Sequence, residues 1–498
     1  MLIKRIHTLL ILSIIASVSF AQPTYFNKTY YLQDLDSAER GENISRGLIA
    51  QPDSTYLVYY FSYNFFTQYQ NSVYSKINNH GDVITQNVLL DTGYTFGCGE
   101  IITSYDGNYY SCGNFLKQPI YDTVNYAFQK IDGNGNILWQ QIGNPFIKKN
   151  CYLRSLTKTF DFKIAAVGQA WDSGASSQDL YFILCDSNGI KIKDTLIGGG
   201  TSWEGSQAII QTPDSGFLLA GNKFITTYNG YLVKLDKNGT FQWQKIYGGA
   251  AGGGFEKMIA LQDGNYLLMG SASAGADGDA WLVKVNVDGN VIWSKKYGVA
   301  SINEDFMNAV ELADSTIVIA GTTQDTTNGN NNFEAWIVKI NAIGDTLWTR
   351  QYGHSTYPSI TADVWLFEIV KTMDNGILVG GFADEAITGQ NAWLLKLDSV
   401  GCDSVNCISG VGSAELNNET AFTLYPNPVQ DEFTIQFKFT LYALCDIKVY
   451  NMLGELVYAK RSFIQKQTTI PTTALPPGMY FVSLNYEGQT VTRKFVKL

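Results

Sequence analysis

The sequence predicts an all-β protein in which a seven-bladed β-propeller is closed by an N-terminal strand and followed by a small C-terminal β-sandwich. Three observations lead to this prediction: the composition, a unit that recurs seven times, and a change of pattern after residue 401. Aromatic residues make up 13% of the 498 residues and glycine occurs 47 times, which is typical of strands joined by tight turns. Hydrophobic residues account for 45% and charged residues for 16%, which excludes a largely disordered chain.

A repeated unit fills most of the chain. Its clearest copies are YLVKLDKNGTFQWQKIYGG from Tyr231, AWLVKVNVDGNVIWSKKYG from Ala280, AWIVKINAIGDTLWTRQYG from Ala335 and AWLLKLDSVG from Ala392. One position recurs at intervals of 49 to 57 residues, as Lys76, Lys130, Cys185, Lys234, Lys284, Lys339 and Lys396. Such a period is close to the ~50 residues of a kelch-like propeller blade.

One copy shows how a unit folds. We predict strands at Phe255–Gln262, Tyr266–Ser271, Ala280–Val285 and Val291–Tyr297, separated by turns that contain Asp263-Gly264 and Asp288-Gly289. Asp-Gly pairs between strand-like runs are hairpin signals because both residues tolerate positive φ angles. Four antiparallel strands form one propeller blade.

The two ends of the array complement each other. The last copy stops at Asp398-Ser399-Val400-Gly401 without its fourth strand, and Tyr25–Leu32 resembles that strand. We therefore predict that the N-terminal strand completes the seventh blade and removes the open sheet edges. An open or an eight-bladed array is the alternative, and it would leave Tyr25–Leu32 unpaired with Trp393–Leu397.

Two aromatic columns and one lysine column run through the copies. Tryptophan recurs at one strand position as Trp139, Trp243, Trp293 and Trp348, and at another as Trp281, Trp336 and Trp393. We interpret both columns as packing between blades rather than as ligand-stacking platforms. The lysines are expected to extend their stems along apolar surface so that the ammonium reaches a sheet edge or a carboxylate.

The N-terminus predicts export. Lys4 and Arg5 precede an apolar run from Leu9 to Val18, and Ser19-Phe20-Ala21 offers small residues at the positions that a signal peptidase reads. We expect a signal peptide at residues 1–21, the propeller at 22–401, a linker at 402–420 and the sandwich at 421–498. The apolar run is too short to span a bilayer, and no later stretch predicts a transmembrane segment. The net charge of −10 argues against nucleic acid as a partner.

Seven cysteines fit an exported protein that can keep disulfides. Cys402 and Cys407 are predicted to form a bridge because they close a short loop. For two more cysteines, Cys98 and Cys112, the alternative to free thiols is a bridge across a hairpin. Cys185 is expected to be a buried apolar thiol. The pattern leaves open the pairing of Cys151 and Cys445.

Candidate catalytic and metal-binding residues are few. Beyond His7 in the predicted signal peptide, His80 and His354 are the only histidines, and their spacing suits neither a zinc site nor a Ser-His-Asp arrangement. Glu204, Asp305 and Asp363 are predicted to lie just before the first strands of their blades, where they would form an acidic ring that binds Ca²⁺, while Glu42 and Glu100 align less well. Solvated loop charge is the competing and preferred interpretation. No other cofactor is expected.

The pattern changes after Gly401. Short strands are predicted near Phe433–Phe439, Ile447–Tyr450, Glu455–Tyr458, Tyr480–Tyr486 and Thr490–Lys497. Three runs carry a resemblance: LYPNPVQDEFTIQF from Leu424, IKVYNMLGELVY from Ile447 and LPPGMYFVSLNYEGQTVTRKFVKL from Leu475. They resemble the type A C-terminal sorting domain of the type IX secretion system in Bacteroidetes. The matching residues are Tyr425, Pro426, Asn427, Pro428, Gly454, Gly478, Met479, Tyr480 and the final run from Lys494 to Lys497.

This resemblance implies the destination of the protein and one partner. Proteins with this domain cross the outer membrane through the type IX machinery and are then released or attached to the surface. The repeats also resemble the SBBP-type repeats of such secreted proteins, which bring no known active site. We therefore expect a non-catalytic propeller that binds a glycan or a protein at the cell surface or in the medium. An extracellular polysaccharide-degrading or cofactor-dependent enzyme is the alternative.

Overall fold

The computed structural model describes most of the repeat array and most of the C-terminal segment. The described ranges are 24–30, 41–64, 70–89, 94–117, 124–144, 150–172, 177–198, 203–248, 252–273, 278–299, 302–325, 332–353, 363–385, 389–403, 422–437, 443–452, 455–464, 467–486 and 489–498. Within these ranges the chain forms strands in nine antiparallel sheets and no helix, so none of them contains a helix that could cross a membrane. The predicted signal peptide, Cys407, His354 and Gly454 lie outside the described residues.

Seven of the eight four-stranded sheets follow one another along the chain as blades 1 to 7. The N-terminal strand is β1 (Phe26–Tyr30). Blade 1 contains β2 (Gly41–Ala50), β3 (Tyr56–Asn64), β4 (Gln70–Ile77) and β5 (Val83–Leu89). Blade 2 contains β6 (Tyr94–Thr103), β7 (Tyr109–Lys117), β8 (Val124–Ile131) and β9 (Ile137–Gly143). Blade 3 contains β10 (Asn150–Lys158), β11 (Ile164–Trp171), β12 (Asp179–Cys185) and β13 (Lys191–Ile197).

The remaining blades repeat this order. Blade 4 contains β14 (Glu204–Gln211), β15 (Phe217–Phe224), β16 (Tyr228–Leu235) and β17 (Phe241–Tyr247). Blade 5 contains β18 (Gly254–Ala260), β19 (Tyr266–Ser273), β20 (Gly278–Val285) and β21 (Val291–Tyr297). Blade 6 contains β22 (Glu304–Glu311), β23 (Ile317–Asp325), β24 (Asn332–Ile340) and β25 (Thr346–Tyr352). Blade 7 contains β26 (Val364–Lys371), β27 (Ile377–Glu385), β28 (Gly389–Leu397) and, as its fourth strand, β1.

The N-terminal strand closes the ring. It pairs antiparallel with β28, with Thr29 opposite Trp393, and the indole nitrogen of Trp393 donates a hydrogen bond to Asn27 at 2.6 Å. The first strand of each blade contacts the first strands of its neighbours, including β2 with β26. The predicted closed ring is therefore confirmed, and the open and eight-bladed alternatives are wrong.

Each of the seven interfaces between neighbouring blades has its own cluster of buried hydrophobic side chains. The cluster between blades 7 and 1 includes Phe26 and Tyr30 of β1, which are 6% and 7% exposed. Burial of apolar area between stacked blades is the main stabilising term in such an array. The core of the propeller is thus divided into seven parts, and the N-terminal strand contributes to one of them.

The lysine column forms ion pairs inside the blades. In five blades the ammonium lies 2.6 to 3.0 Å from an aspartate in the turn between the first and second strands: Lys76–Asp53, Lys130–Asp106, Lys234–Asp214, Lys284–Asp263 and Lys396–Asp374. In blade 6 the hydrogen bond from Thr316 is the main cause of the lowered pKa of Asp314, and the charge of Lys339 adds to it. Blade 3, which has Cys185 in the column, pairs Asp161 with Lys163 instead. The expectation that the ammonium reaches a carboxylate is confirmed.

Both tryptophan columns pack. Trp281 stacks on Phe255 of its own blade with ring centroids 4.9 Å apart, and both rings belong to the cluster between blades 4 and 5. Trp336 stacks on Phe306 at 5.1 Å in the cluster between blades 5 and 6. The fourth-strand tryptophans lie against a turn glycine of the next blade, in the pairs Trp139–Gly189, Trp243–Gly289, Trp293–Gly344 and Trp348–Gly401. The packing interpretation of both columns is therefore confirmed.

A tyrosine clasp, defined as the hydrogen bond from a fourth-strand tyrosine to the carbonyl of a turn glycine in the next blade, joins several blades. It occurs at Tyr247–Gly289, Tyr297–Gly344, Tyr352–Gly401 and Tyr30–Gly81. The last of these joins β1 of blade 7 to blade 1, so the clasp also spans the closure of the ring. Because the donors recur at one strand position, the clasp makes the same contact at four of the seven interfaces.

Gly289 allows a direct test of how tightly a turn packs against the previous blade. Its φ is +72°, and a Cβ there would lie 2.9 Å from the ring of Trp243. Gly264 has a similar φ of +81° but open space around it. We expect Gly264→Ala to cost about 1–2 kcal/mol from backbone strain. Gly289→Ala should cost at least ~1 kcal/mol more from overpacking.

Tryptophan fluorescence during urea unfolding measures this difference, since all ten tryptophans precede residue 402. Equal losses in the two variants would mean that the turn does not press on Trp243.

Four cysteines of the propeller are free thiols. Cys98, Cys112, Cys151 and Cys185 are buried, and burial raises the pKa of each thiol. The alternative bridge between Cys98 and Cys112 is wrong because the two side chains lie on opposite faces of blade 2, one in the interface with blade 1 and the other in the interface with blade 3. Cys402 is buried, and its bridge to Cys407 stays a prediction.

The C-terminal segment folds as a two-sheet sandwich. One sheet contains β29 (Phe422–Tyr425), β30 (Glu432–Phe437) and β33 (Gln467–Pro471), and the other contains β31 (Ala443–Asn451), β32 (Leu456–Ile464), β34 (Gly478–Tyr486) and β35 (Gln489–Lys497). A single cluster of buried side chains draws on both sheets, among them Phe433, Ile447 and Phe495. The predicted sandwich is confirmed. The sequence missed β29 and β33, which are only four and five residues long.

Candidate functional site

The seven innermost strands share one irregularity. Each carries a β-bulge, so that one residue has no opposite partner on the second strand. The bulge residues, in blade order, are Arg46, Gly99, Arg154, Gln207, Glu256, Met307 and Phe367. A bulge bends the strand and redirects its side chain. In this propeller the bulge occurs in the first strand of all seven blades, at one level of the ring.

The bulge residues line a cavity of about 300 Å³ in the centre of the ring, together with Lys257 and Glu368. Arg154 is solvent-exposed, whereas the other lining residues are partly buried. Although the blades share their turn and packing residues, the cavity has a different side chain from nearly every blade. Residues that vary while the scaffold repeats are typical of a binding site on a propeller.

An ion pair crosses the ring one residue beyond the bulges. The ammonium of Lys257 in blade 5 contacts the carboxylate of Glu100 in blade 2. The other oxygen of Glu100 accepts hydrogen bonds from the Ser155 hydroxyl at 2.6 Å and from the Leu156 amide at 2.9 Å. On the other side, Asn308 donates to Glu368 at 2.9 Å. Polar contacts at this level of the channel therefore link blades 2, 3 and 5 in one network and blades 6 and 7 in another.

Burial shifts the acidity of the channel groups. Burial alone would lower the pKa of Lys257, but the carboxylates of Glu100 and Glu368 outweigh it, so the pKa is raised and the ammonium stays charged. Burial raises the pKa of Glu368 to about 7, against the opposing effect of Lys257. Burial also raises the pKa of Glu256, although Arg154 and Arg46 oppose it. The channel thus contains one carboxyl group, Glu368, whose pKa lies near neutral pH, and a second, Glu256, whose pKa is raised.

The three acidic residues predicted to form a calcium ring lie at different levels of their blades. Glu204 begins β14 and pairs with Lys223 at 2.7 Å, Asp363 precedes β26 and accepts a hydrogen bond from the Phe333 amide, and Asp305 is the second residue of β22. Burial, and then Glu256, raise the pKa of Asp305 far above its usual range. Among the described residues no group of three or more acidic, histidine or cysteine side chains could hold a metal ion. The structure gives no support to a cation ring on these residues.

The other sequence candidates are dispersed. Glu100, which the sequence aligned only poorly with that ring, belongs to the channel network. His80 lies in the exposed turn between β4 and β5, where its amide donates to Asn78. The bulge residues themselves were missed. Aligning the copies at their first strands would have placed them in one column, but that column has no residue type in common and so gives no repeat signal.

The predicted sorting residues cluster at one end of the sandwich. The side chain of Asn427 accepts a hydrogen bond from the Val496 amide at 3.0 Å, and its nitrogen donates to the carbonyl of Lys494. Tyr425, Pro426 and Pro428 flank this residue between β29 and β30, and Gly478 lies opposite Lys497. Tyr480 packs in the core and donates to the Pro476 carbonyl, whereas Lys494 is exposed. The segment from Tyr425 to Pro428 is thus tied to the last strand of the chain.

Several solved structures are similar to the chain. The β-propeller domain of the Trilobed protease from Pyrococcus furiosus has 10% identity, with 74% of this chain and 99% of that chain covered and a TM-score of 0.39. A polysaccharide lyase described as an ulvan lyase has 9% identity, coverage of 75% and 96%, and a TM-score of 0.46. The sialidase of Trypanosoma rangeli has 8% identity, coverage of 84% and 86%, and a TM-score of 0.41. No curated protein matches the chain.

The C-terminal sandwich has a family match. Residues 423–498 match the family described as the secretion system C-terminal sorting domain. The matched range begins in β29 and runs through both sheets of the sandwich to the last residue. The chain therefore joins a seven-bladed propeller to a secretion system C-terminal sorting domain.

Proposed function

We propose that the type IX secretion system exports this chain and that its propeller works outside the cell as a non-catalytic binding module. The sorting-domain match at residues 423–498 carries the export part of the proposal. The signal sequence predicted at residues 1–21 would supply entry into the periplasm. Release from the cell and attachment to its surface are both consistent with this route.

Removal of residues 421–498 should trap the propeller in the periplasm. We expect the truncated chain in the periplasmic fraction and the intact chain in the surface or medium fraction, measured by immunoblotting of cell fractions. Fusing residues 421–498 to a periplasmic reporter should export the reporter. Truncated propeller that still reaches the outside would contradict the proposal.

Point variants separate recognition from folding. Lys494 on β35 and Lys460 on β32 are both exposed lysines of the same sheet. We expect Lys494→Ala to reduce the exported fraction and Lys460→Ala to leave it unchanged, since only Lys494 belongs to the sorting motif. Equal export of both variants would remove Lys494 from the signal.

The binding role rests on the channel. The scaffold repeats in every blade, whereas the seven bulge positions hold arginine, glycine, glutamine, glutamate, methionine and phenylalanine around a cavity. Such a varied set within a regular scaffold fits recognition of a ligand better than a purely structural role.

An enzyme is the second candidate, and Glu368 is the observation that favours it. A buried carboxyl group with a pKa of about 7 in a cavity has the acidity of a general acid at neutral pH. We expect no release of reducing ends from a panel of bacterial and plant polysaccharides. Release that Glu368→Gln abolishes would replace the binding role with an enzymatic one.

A further inference from the structure

The propeller channel contains two guanidinium groups that make no direct ion pair with a described residue, although the charges of Glu256 and Glu368 act on Arg46 and Arg154 acts on Glu256. Arg46 lies over the ring of Phe367, 3.7 Å from its centroid, and makes no ion pair or hydrogen bond among the described residues. Arg154 lies over the ring of Tyr152 at 4.6 Å and only approaches its hydroxyl, at 3.5 Å. Lys257, by contrast, is already paired with Glu100. The two arginines are therefore the cationic groups of the cavity that remain available to a ligand.

The two guanidinium groups also repel each other. Burial, and after it the charge of Arg154, lower the pKa of Arg46 to about 10. Glu368 and Glu256 oppose these two effects on Arg46, and an anion bound between the guanidinium groups would further reduce their repulsion. Arginine forms paired hydrogen bonds with planar or tetrahedral oxyanions, which makes such a site selective.

Gly99 contributes no side chain to the part of the ring between the two arginines. It occupies the bulge position of blade 2, between blades 1 and 3 that supply Arg46 and Arg154. A Cβ at Gly99 would lie 2.4 Å from the Leu153 carbonyl oxygen and 2.8 Å from the Arg154 Cα. The close approach of β10 thus excludes any side chain there, and the ring of bulge residues has a gap beside the two cations.

We propose that the channel binds the anionic group of an organic ligand, a carboxylate or a sulfate ester, between Arg46 and Arg154. This inference rests on the proposed binding role of the propeller and specifies its ligand class. Phe367 offers an apolar surface beside the anion, and Gln207 offers a neutral polar group. A cavity of about 300 Å³ is at the small end of ligand pockets, so it suits a ligand the size of one acidic sugar.

The carboxyl groups of the channel make this binding depend on pH. The charged and titratable groups around Glu256 and Glu368 are Arg46, Glu100, Arg154, Lys257 and Asp305. Glu368 has a pKa of about 7, and its protonation removes a negative charge from the cavity and adds a hydrogen-bond donor. An anion should therefore bind more tightly at pH 6 than at pH 8, whereas the ionisation of Lys257 does not change in this range.

Calorimetry with the full chain tests the proposal. The probes are glucuronate, glucose 6-sulfate and neutral glucose, with inorganic sulfate to identify binding of a free anion. We expect heat with glucuronate or glucose 6-sulfate and none with glucose. Arg154→Met, which changes an exposed residue, and Arg46→Met should each weaken binding tenfold or more. The matched control Lys245→Met removes another cation that lies over an aromatic ring, at 5.5 Å from Trp243 on the fourth strand of blade 4.

The outcomes separate this inference from the proposed function. Glucose that binds as tightly as glucuronate would overturn the anion site and leave the binding role of the propeller in place. Equal affinities in wild type and Arg154→Met, or no heat with either anionic sugar, would also overturn the anion site. Cell fractionation tests export separately, so these results do not affect it.

Discussion

Replacing Asp374 with asparagine is expected to destabilise the propeller by about 3–5 kcal/mol, because it leaves a buried ammonium without its counter-charge. The side chain of Lys396 is 0% exposed and lies 3.0 Å from Asp374, which is itself 10% exposed. Asp374 also accepts hydrogen bonds from Thr372 and from the Thr24 amide beside β1. The ion pair between Lys76 and Asp53 in blade 1 provides a natural control, because Asp53 is 55% exposed. Asp53→Asn should cost below ~1 kcal/mol.

Urea unfolding followed by tryptophan fluorescence measures both variants. Each variant replaces the turn aspartate of a lysine pair, and the two sites differ in burial and in the hydrogen bond from the Thr24 amide to Asp374. Equal losses would show that burial does not set the strength of these pairs.

The Asp374 pair also predicts how the stability of the ring depends on pH. Burial alone would raise the pKa of Asp374, but hydrogen bonds from Thr372 and Lys396 outweigh it, so the pKa lies below its usual value. A depressed carboxyl pKa stabilises the fold above the unfolded pKa of ~3.9, and this contribution is lost as the pH falls through the folded pKa. The stability of wild type should therefore fall below pH 4 more steeply than that of Asp374→Asn.

Replacing Phe26 with alanine is expected to cost about 3–5 kcal/mol, the usual range for removing a buried phenylalanine. Phe26 is 6% exposed in the interface between blades 7 and 1, and its ring lies against Gly81. Lys28 on the same strand is the control, because its side chain is 38% exposed and its ion pair with Asp82 lies at the surface. Lys28→Ala should cost below ~1 kcal/mol.

Limited proteolysis shows whether the loss concerns ring closure. In Phe26→Ala, cleavage should increase first in blade 7 and in the N-terminal strand, since weaker docking of β1 exposes the edge of β28. Uniform cleavage across all blades would mean that the substitution only removes buried area and does not open the ring.

The fold was predictable because its signals are local and repeated. The strand Val291–Tyr297 was predicted with the observed bounds, and the others of that blade differ by one or two residues, because Asp-Gly turns mark where strands end. Closure by β1 was predictable because the strand missing after Gly401 has the pattern of the N-terminal segment. Each of these inferences needs only neighbours in sequence or a comparison of copies.

The channel was not predictable for the opposite reason. Lys257 and Glu100 are 157 positions apart and meet only because blades 5 and 2 face each other across the ring. A bulge inserts one residue into the alternation of a strand, so Glu256 points into the channel although the pattern assigns it no special role. The bulge at Gly99 also explains why the alternative bridge between Cys98 and Cys112 is wrong. The hairpin register shifts between Cys98 and Glu100, so the two cysteines face different interfaces.

Closure by β1 also has a consequence for the order of folding. Thr29 of β1 pairs with Trp393 of β28. The first strand of the propeller to be synthesised can therefore pair only after the last one has been made. Contacts this distant in sequence form slowly, because the entropy of closing a long loop must be lost before the contact stabilises the chain. Until residue 397 has been synthesised, β1 is exposed because its partner strand, β28, is incomplete. A chaperone that shields extended strands should therefore raise the yield of closed propeller more than a faster rate of synthesis would.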